Sequence, residues 1–540
     1  MVAEVPSVAT AVGETLAALG VGHAFGVVGS GNFHVTNALR ASGVPFVAAR
    51  HEGGAATMAD AYARMSGSVA VLSVHQGPGL TNAATGLAEA AKSRTPLVVL
   101  APSVSGATSN FAMDQAGFAR SFGAVPMRVH SGASAVADTV AAWRTARDER
   151  RTVVLDLPLS VQGESAVPVP VSVPPLPSPV APSASSVSAL AELFRGARRP
   201  VIVAGRGARE AGPELRRLGA ATGSLLATSA VANGLFHGDP YDLGISGGFA
   251  SPAAARLISS ADLIVGFGCA LNMWTMRHGR LIAADASVVQ VDVSASAIGA
   301  HRPVTLGVVG DSAVVASSVL ALLDGAVLPG YRTAVAVSRW NDEPFADLST
   351  GDRIDPRALS LALDSLLPSE RIVAVDSGNS MGYPSAYLRV PDEFGFCFTQ
   401  AFQSIGLGLP TAIGAALARR DRLPVLASGD GGFLMSVAEL ETAVRLGLPL
   451  LCVVYNDAAY GAEVHHFGAD ADLSTVVFPD TDIAALAAGF GASGLTVRRA
   501  ADLRGVTAWL ESSPSGPLVV DAKIVSDGGS WWLAEAFKGH

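Results

Sequence analysis

The stretch from Leu423 to Asp457 constrains the fold more than any other part of this chain. It opens with a short apolar run, Leu423–Ser428, that stops at Gly429-Asp430-Gly431-Gly432. Ser436–Leu446 follows with helical spacing, which places Val437, Leu440 and Val444 on one face. Pro449–Tyr455 is a second apolar run, too short for an ordinary helix, and it leads into Asn456-Asp457. A strand, a crossover helix and a parallel strand form a right-handed unit, so both strands end at the same edge of a sheet. With 24 residues between the two motifs, from Gly432 to Tyr455, Asp430 and Asp457 fall at neighbouring carboxyl ends. Open α/β sheets bind ligands at that edge. Two oxygen ligands beside glycine amides suit Mg²⁺ carrying a diphosphate, because Mg²⁺ takes few protein ligands and keeps phosphate and water. A Gly-Asp-Gly alone is most often a turn; the second acid at this spacing gives it weight.

The same alternation of apolar runs and helical stretches recurs on both sides of this segment. Val44–Arg50, Ser68–Val74 and Pro96–Ala101 read as strands, and Gly54–Met65 and Thr81–Lys92 as helices. Pro200–Ala204, Leu263–Phe267, Val288–Val293 and Arg371–Val375 read as further buried strands. Seven prolines between Pro168 and Pro182 make Ser165–Ser186 an extended connector. A second boundary falls near Leu323–Asp355, where periodicity weakens. The 540 residues therefore divide into domains at 1–164, 187–325 and 356–540. Strands alternating with helices predict an α/β class, with three doubly wound parallel sheets covered on both faces.

Composition excludes several classes of function. Hydrophobic residues make up 49% and charged residues 15%, which predicts large cores and a buried subunit interface. A net charge of −9 without a basic tract argues against a nucleic-acid partner. Cys269, Cys397 and Cys452 lie far apart and read as free buried thiols, with neither disulfide nor zinc spacing. No basic start with an apolar signal core and no long apolar span is found, so the expectation is a cytoplasmic protein without a membrane partner.

His51-Glu52-Gly53-Gly54-Ala55-Ala56 follows a strand and opens a helix that runs through Asp60 to Arg64. A helix N-terminus favours an acid there in any case. Seen together with Gly429–Gly432 and Asn456-Asp457, however, this segment resembles the activating-glutamate stretch of the thiamine diphosphate (ThDP) enzymes. The resemblance is to the branch that holds acetolactate synthase, benzoylformate decarboxylase and pyruvate decarboxylase, and it covers nearly the whole chain. It implies a pyrimidine-binding first domain, a central domain and a diphosphate-binding third domain. It implies ThDP and Mg²⁺ as cofactors, with Asp430, Asp457 and the Ala459 carbonyl on the metal; the family usually has Asn at the position of Asp457. Glu52 would share a proton with N1′ of the aminopyrimidine, so that N4′ becomes the base for the C2 proton. Glu52 would act from one subunit on a cofactor held by another, which implies at least a homodimer and, as is common in the family, a homotetramer.

The resemblance assigns further residues. His75 and Gln76 precede Gly77-Pro78-Gly79-Leu80-Thr81-Asn82, a loop typical of the family, and His75 matches an active-site histidine of benzoylformate decarboxylase. A histidine ending an apolar strand can equally be structural. Asn110–Gln115 departs from the Phe-Gln pair of acetolactate synthases. Gly378, Asn379 and Ser380 would face the diphosphate, together with Gly429, Gly431, Gly432, Tyr460 and Gly461. Gln403, Ser404 and Ile405 would meet the pyrimidine, with Ile405 propping the cofactor into a bent shape. Glu463 falls where pyruvate decarboxylases keep a catalytic acid, though a solvated helix acid would look the same.

In the central domain, Gly205 and Gly207 are followed by Glu210 where a dinucleotide fingerprint needs a third glycine. Acetolactate synthases bind flavin adenine dinucleotide (FAD) in this domain; the incomplete pattern argues against it here. The tail from Ser530 to Phe537 is amphipathic and aromatic and could close over the site or pack on a dimer surface. The expected activity is decarboxylation of a 2-oxo acid followed by joining to a second carbonyl, an aldehyde or ketone. The alternatives are plain decarboxylation to an aldehyde and a non-catalytic ThDP-binding relative.

Overall fold

Three six-stranded sheets, all parallel, account for the strands among the described residues. The structure is a computed structural model that describes residues 5–332, 335, 337–468, 470–527 and 531–536. The first sheet holds β1 (Ala24–Gly26), β2 (Phe46–Ala48), β3 (Ala70–Ser73), β4 (Leu97–Ser103), β5 (Val125–Arg128) and β6 (Thr152–Pro158), in the order β2-β1-β3-β4-β6-β5. The second holds β7 (Pro200–Ala204), β8 (Leu225–Thr228), β9 (Asp242–Ile245), β10 (Leu263–Phe267), β11 (Ser287–Asp292) and β12 (Leu306–Val309), in the order β12-β11-β10-β7-β8-β9. The third holds β13 (Arg371–Val375), β14 (Phe396–Phe398), β15 (Leu423–Gly429), β16 (Leu451–Asn456), β17 (Ser493–Val497) and β18 (Leu518–Lys523), in the order β14-β13-β15-β16-β18-β17. Central strands such as β7, β10 and β13 are buried along their whole length. A strand covered by helices on both faces needs this continuous apolar character rather than alternation.

Six helices frame the candidate site: α1 (Glu52–Ser66), α2 (Ala84–Lys92), α3 (Gly408–Ala418), α4 (Asp430–Met435), α5 (Glu439–Arg445) and α6 (Gly461–Phe467). One apolar cluster runs from the first sheet into the third, joining Met58, Ala59 and Leu72 to Leu409, Ile413 and Leu426. Its seam is α1 against α3. Both helices are rich in Gly and Ala there, and a Cβ on Gly414 would collide with the Met58 carbonyl. Small residues thus set the close approach of the two outer domains.

The elements differ from the sequence expectations in three places. The Gly-Asp-Gly-Gly segment is not a free-standing turn, because β15 runs through Gly429 and Asp430 begins α4. An acid in a first helical turn is favoured by the dipole. The helix expected over Thr81–Lys92 is broken at Ala83, since Pro78 starts a separate short helix, Pro78–Asn82. The proline-rich connector ends earlier than Ser186: the Ser183 hydroxyl accepts the Ser186 amide and caps a helix over Ala184–Gly196. Cys269, Cys397 and Cys452 are buried free thiols. Among the described residues, no helix is long and apolar enough to cross a membrane.

Candidate active site

The third sheet reverses its strand order between β13 and β15, and the chain leaves a cleft at their carboxyl ends. Gly378, Asn379 and Ser380 wall it from the end of β13, and Gly429, Asp430, Gly431 and Gly432 from the end of β15. Asp457, Ala459, Tyr460, Gly461 and Glu463 wall it after β16, and Ile405 closes another side. β15 and β16 are direct parallel neighbours, with Gly429 level with Tyr455, which brings Asp430 and Asp457 together. Their carboxyl groups are close enough to perturb one another. Burial, then the neighbouring Asp457 carboxylate, pushes the Asp430 carboxyl up to about 8. Burial also raises Asp457, while the Ala459 amide and the field of His465 oppose the shift.

Two carboxylates this close, one buried and one half-buried, repel each other unless a proton or a cation lies between them. Among the described residues, no three His, Cys, Asp or Glu side chains gather into a metal cluster. A cation here would therefore be held by two carboxylates, a carbonyl and oxygens of its own ligand, which is the habit of Mg²⁺ rather than Zn²⁺. The glycines are sterically required. A Cβ on Gly431 would press into the Tyr460 ring, and one on Gly461 would meet the Asp457 carboxylate and Asn379. The donor set and the cradle thus fit a diphosphate with Mg²⁺.

Asp376, fully buried at the end of β13, organises the back of the cleft. It accepts the Gly406 amide at 3.3 Å, the Leu407 amide at 3.2 Å and the Ser428 hydroxyl at 2.8 Å. Burial raises its carboxyl above the ordinary range. In the sequence its only mark is that an acid directly follows the apolar run Arg371–Val375. Gln403 and Ser404 do not line the cleft. Gln403 is exposed, with φ at +62° in the left-handed region, and the Ser404 hydroxyl bonds to the Ile405 carbonyl. His465 and His466 lie in the last turn of α6, away from the lining.

The first domain gathers a second group of residues, apart from this cleft. Glu52 sits in the first turn of α1, almost wholly buried, and its Oε2 accepts the Asn82 side chain at 3.1 Å. Asn82 ends the short helix Pro78–Asn82, formed by the Gly-Pro-Gly-x-x-Asn motif. His75 takes the Gly31 amide on Nδ1 and meets the Phe111 ring edge-on at 5.4 Å between centroids. Phe111 thereby joins the group from the loop in which the Phe-Gln pair is missing. Gln76 is buried, and its Oε1 is without a hydrogen-bond partner among the described residues. The cleft itself is lined by third-domain residues alone.

In the central domain, the Gly205 amide bonds to the Phe267 carbonyl at 2.9 Å and the Gly207 amide to the Gly268 carbonyl at 3.1 Å. A Cβ on Gly205 would collide with that Gly268 carbonyl. The two strand-end loops are thus joined backbone to backbone where the sheet order reverses. In the tail, the indole of Trp532 is fully buried and donates to the Asn379 carbonyl at 3.1 Å, and Trp531 donates to the Gly248 carbonyl at 3.0 Å. Ser530 and Phe537 lie outside the described residues.

Comparison with known proteins adds three kinds of finding. Residues 6–121, 187–319 and 376–522 match, respectively, the N-terminal TPP binding domain, the central domain and the C-terminal TPP binding domain of thiamine pyrophosphate enzymes. A sulfoacetaldehyde acetyltransferase of Rhodobacter capsulatus is 30% identical over 490 residues, 82% of this chain and 81% of the relative. A chloroplastic acetolactate synthase 1 of Zea mays is 26% identical over 549 residues, 94% of this chain and 84% of the relative. A solved structure from Mycobacterium smegmatis, described as a candidate thiamin diphosphate-dependent enzyme, shares the fold. Its TM-score is 0.81 at 22% identity, over 97% of this chain and 100% of that one.

Proposed function

This chain belongs to the thiamine pyrophosphate enzyme family, and from that premise we propose that it decarboxylates a 2-oxo acid and joins the remaining acyl fragment to a second carbonyl compound. The observation that carries the reading is the Asp430–Asp457 pair, brought together in a glycine-walled cleft. Those carboxylates and the Ala459 carbonyl would hold Mg²⁺, and Gly378, Asn379, Ser380, Gly429, Gly431, Gly432, Tyr460 and Gly461 would surround the diphosphate. ThDP, when bound, supplies the electron sink that lets a 2-oxo acid lose carbon dioxide. Ile405 would keep the cofactor bent, with Gln403 and Ser404 beside its pyrimidine.

Glu52 would hold the proton exchanged with the pyrimidine nitrogen. Because the cleft is lined by third-domain residues alone, Glu52, His75 and Gln76 would act from a second copy of the chain. A homodimer is then the smallest complete unit, and a homotetramer the expected assembly. His75 and Gln76 would orient the acceptor carbonyl. The relatives named for acetyl transfer and for acetolactate synthesis support joining over release.

Glu463 favours a second reading. It is exposed in the first turn of α6 and lines the cleft. A carboxyl there could deliver the proton that releases an aldehyde. Incubation with ThDP, Mg²⁺ and a panel of 2-oxo acids, with and without aldehydes and ketones, separates the two by mass spectrometry of the products. Ligated product that depends on the acceptor is expected. Free aldehyde alone, whatever acceptor is present, would transfer the assignment to the second reading, and no release of carbon dioxide would sink both.

A further inference from the structure

The two outer sheets have the same strand order, and the chain between their strands follows the same plan. In each domain the second strand ends in a turn that leads into a helix of the domain seam. The turn after β2 leads to Glu52 and α1; the turn after β14 carries Gln403, Ser404 and Ile405 and leads to α3. In each domain the third strand is followed by two helices, of which α2 and α5 are the second. From each of these a buried carboxylate crosses the seam to backbone amides in the other domain's turn.

Glu439, on α5, is 2% exposed. Its Oε1 accepts the Arg50 amide at 3.1 Å and the His51 amide at 3.0 Å, immediately before Glu52. Its Oε2 takes the Thr442 hydroxyl at 2.7 Å. A Cβ on Gly54 would collide with this carboxylate, so the glycine makes the bonding possible. Arg445, also on α5, donates to the Ala48 carbonyl, and Arg50 pairs with Glu441. Glu89, on α2, is wholly buried and accepts the Phe402 amide on Oε2 at 2.6 Å. Its Oε1 is held by Arg64 at 2.8 Å and by the Ser93 hydroxyl at 3.1 Å. Arg206 of the central domain bonds to the Ser93 carbonyl, which ties the third unit to the same network. Asp376 holds the far end of the 401–407 loop and Glu89 the near end, with Gln403 in its left-handed conformation between them. A residue at that φ persists only where the surroundings over-determine it.

We propose that Glu439 and Glu89 are reciprocal positioning residues: Glu439 of the third domain fixes the turn that aims Glu52, and Glu89 of the first domain fixes the loop that carries Gln403 to Ile405. Neither lines the cleft. The inference rests on the proposed ThDP function, and the two carboxylates are expected to fail in different ways. Glu439 acts on proton handling, because its turn bears the acid. Glu89 acts on cofactor seating, because its loop faces the cleft through Ile405.

The test measures ThDP affinity by calorimetry with Mg²⁺, and C2-proton exchange of the saturated cofactor by NMR after acid quench. Glu439→Ala is expected to slow exchange by about 10²-fold, the usual cost of a misplacement near 1 Å, with ThDP affinity retained. Glu439→Gln, which keeps an oxygen for both amides, is expected to restore most of the exchange rate. In Glu89→Gln one oxygen cannot serve both Arg64 and Phe402, so affinity is expected to fall about 10–100-fold, as when an outer partner of a ligand is lost. Its exchange at saturation should stay near normal. Equal losses of affinity and exchange in both variants, or no loss in either, would overturn the proposal. If a variant does not fold, hydrogen exchange in the unaltered protein decides: slow exchange at Arg50, His51 and Phe402 supports the braces, and solvent-rate exchange there refutes them. Failure of the unaltered protein to bind ThDP would instead strike the proposed function.

Discussion

The outer sheets reverse their strand order between the first and third strands, while the central sheet reverses between its first and fourth, β7 and β10. In the third domain that point is open and forms the cleft. In the central domain it is closed by direct backbone bonds from Gly205 and Gly207 to Phe267 and Gly268. Glycine serves opposite ends in the two places. At Gly431 and Gly461 it keeps space beside a pair of acids, whereas at Gly205 and Gly268 it lets two main chains touch. A reversal point in a parallel sheet is thus a place where a site can form, and the loops decide whether it stays open. Under the proposed function the chemistry falls to the outer pair, while the central unit lends Arg206 and Arg209 to the seam.

Four substitutions bear on this division, beginning with the largest expected effect. Glu52→Gln keeps size and most contacts, so the protein should fold and bind ThDP while turnover falls by about 10²–10⁴, the span of a positioned acid–base group. Normal turnover together with normal C2-proton exchange would remove the first domain from the chemistry. Asp430→Ala removes one of the two carboxylates proposed to hold Mg²⁺ on the diphosphate, and calorimetry should show ThDP affinity lower by about 2–5 kcal/mol, the cost of truncating one partner of a desolvated charge pair. An unchanged affinity would mean that the open reversal point is not the diphosphate site.

Gly414→Leu forces a side chain into the Met58 carbonyl at the α1–α3 seam. Thermal melts should report a loss of about 3 kcal/mol, near the upper end for overpacking, and the cofactor should bind more weakly because both half-sites hang on that seam. Gly205→Ala strains the closed reversal point by a single methyl group and should cost about 1 kcal/mol, with ThDP affinity untouched. Loss of ThDP affinity in Gly205→Ala, or its retention in Gly414→Leu at equal destabilisation, would reverse the roles given to the central and outer units.

Some of this was settled by the sequence alone. Apolar runs such as Pro200–Ala204, Leu263–Phe267 and Arg371–Val375 are strands within a residue of where their patterns begin and end, because a strand buried on both faces must be continuously apolar. Asp430 and Asp457 come together because a right-handed crossover leaves no other arrangement for two adjacent parallel strands. Helix boundaries were harder to read. The start of α4 at Asp430 and the break at Ala83 depend on local φ/ψ choices at Gly, Pro and Asp that periodicity does not record. The tertiary structure alone decided which residues surround those elements. Asn82 on Glu52, Phe111 on His75, Asp376 behind the cleft, and Glu439 and Glu89 across the seam each depend on chain segments brought close only by folding. The two crossing carboxylates were the least legible, because their partners are backbone amides. Every residue except proline carries such an amide, so nothing in the side chains marks Arg50, His51 or Phe402 as the ones an acid will reach.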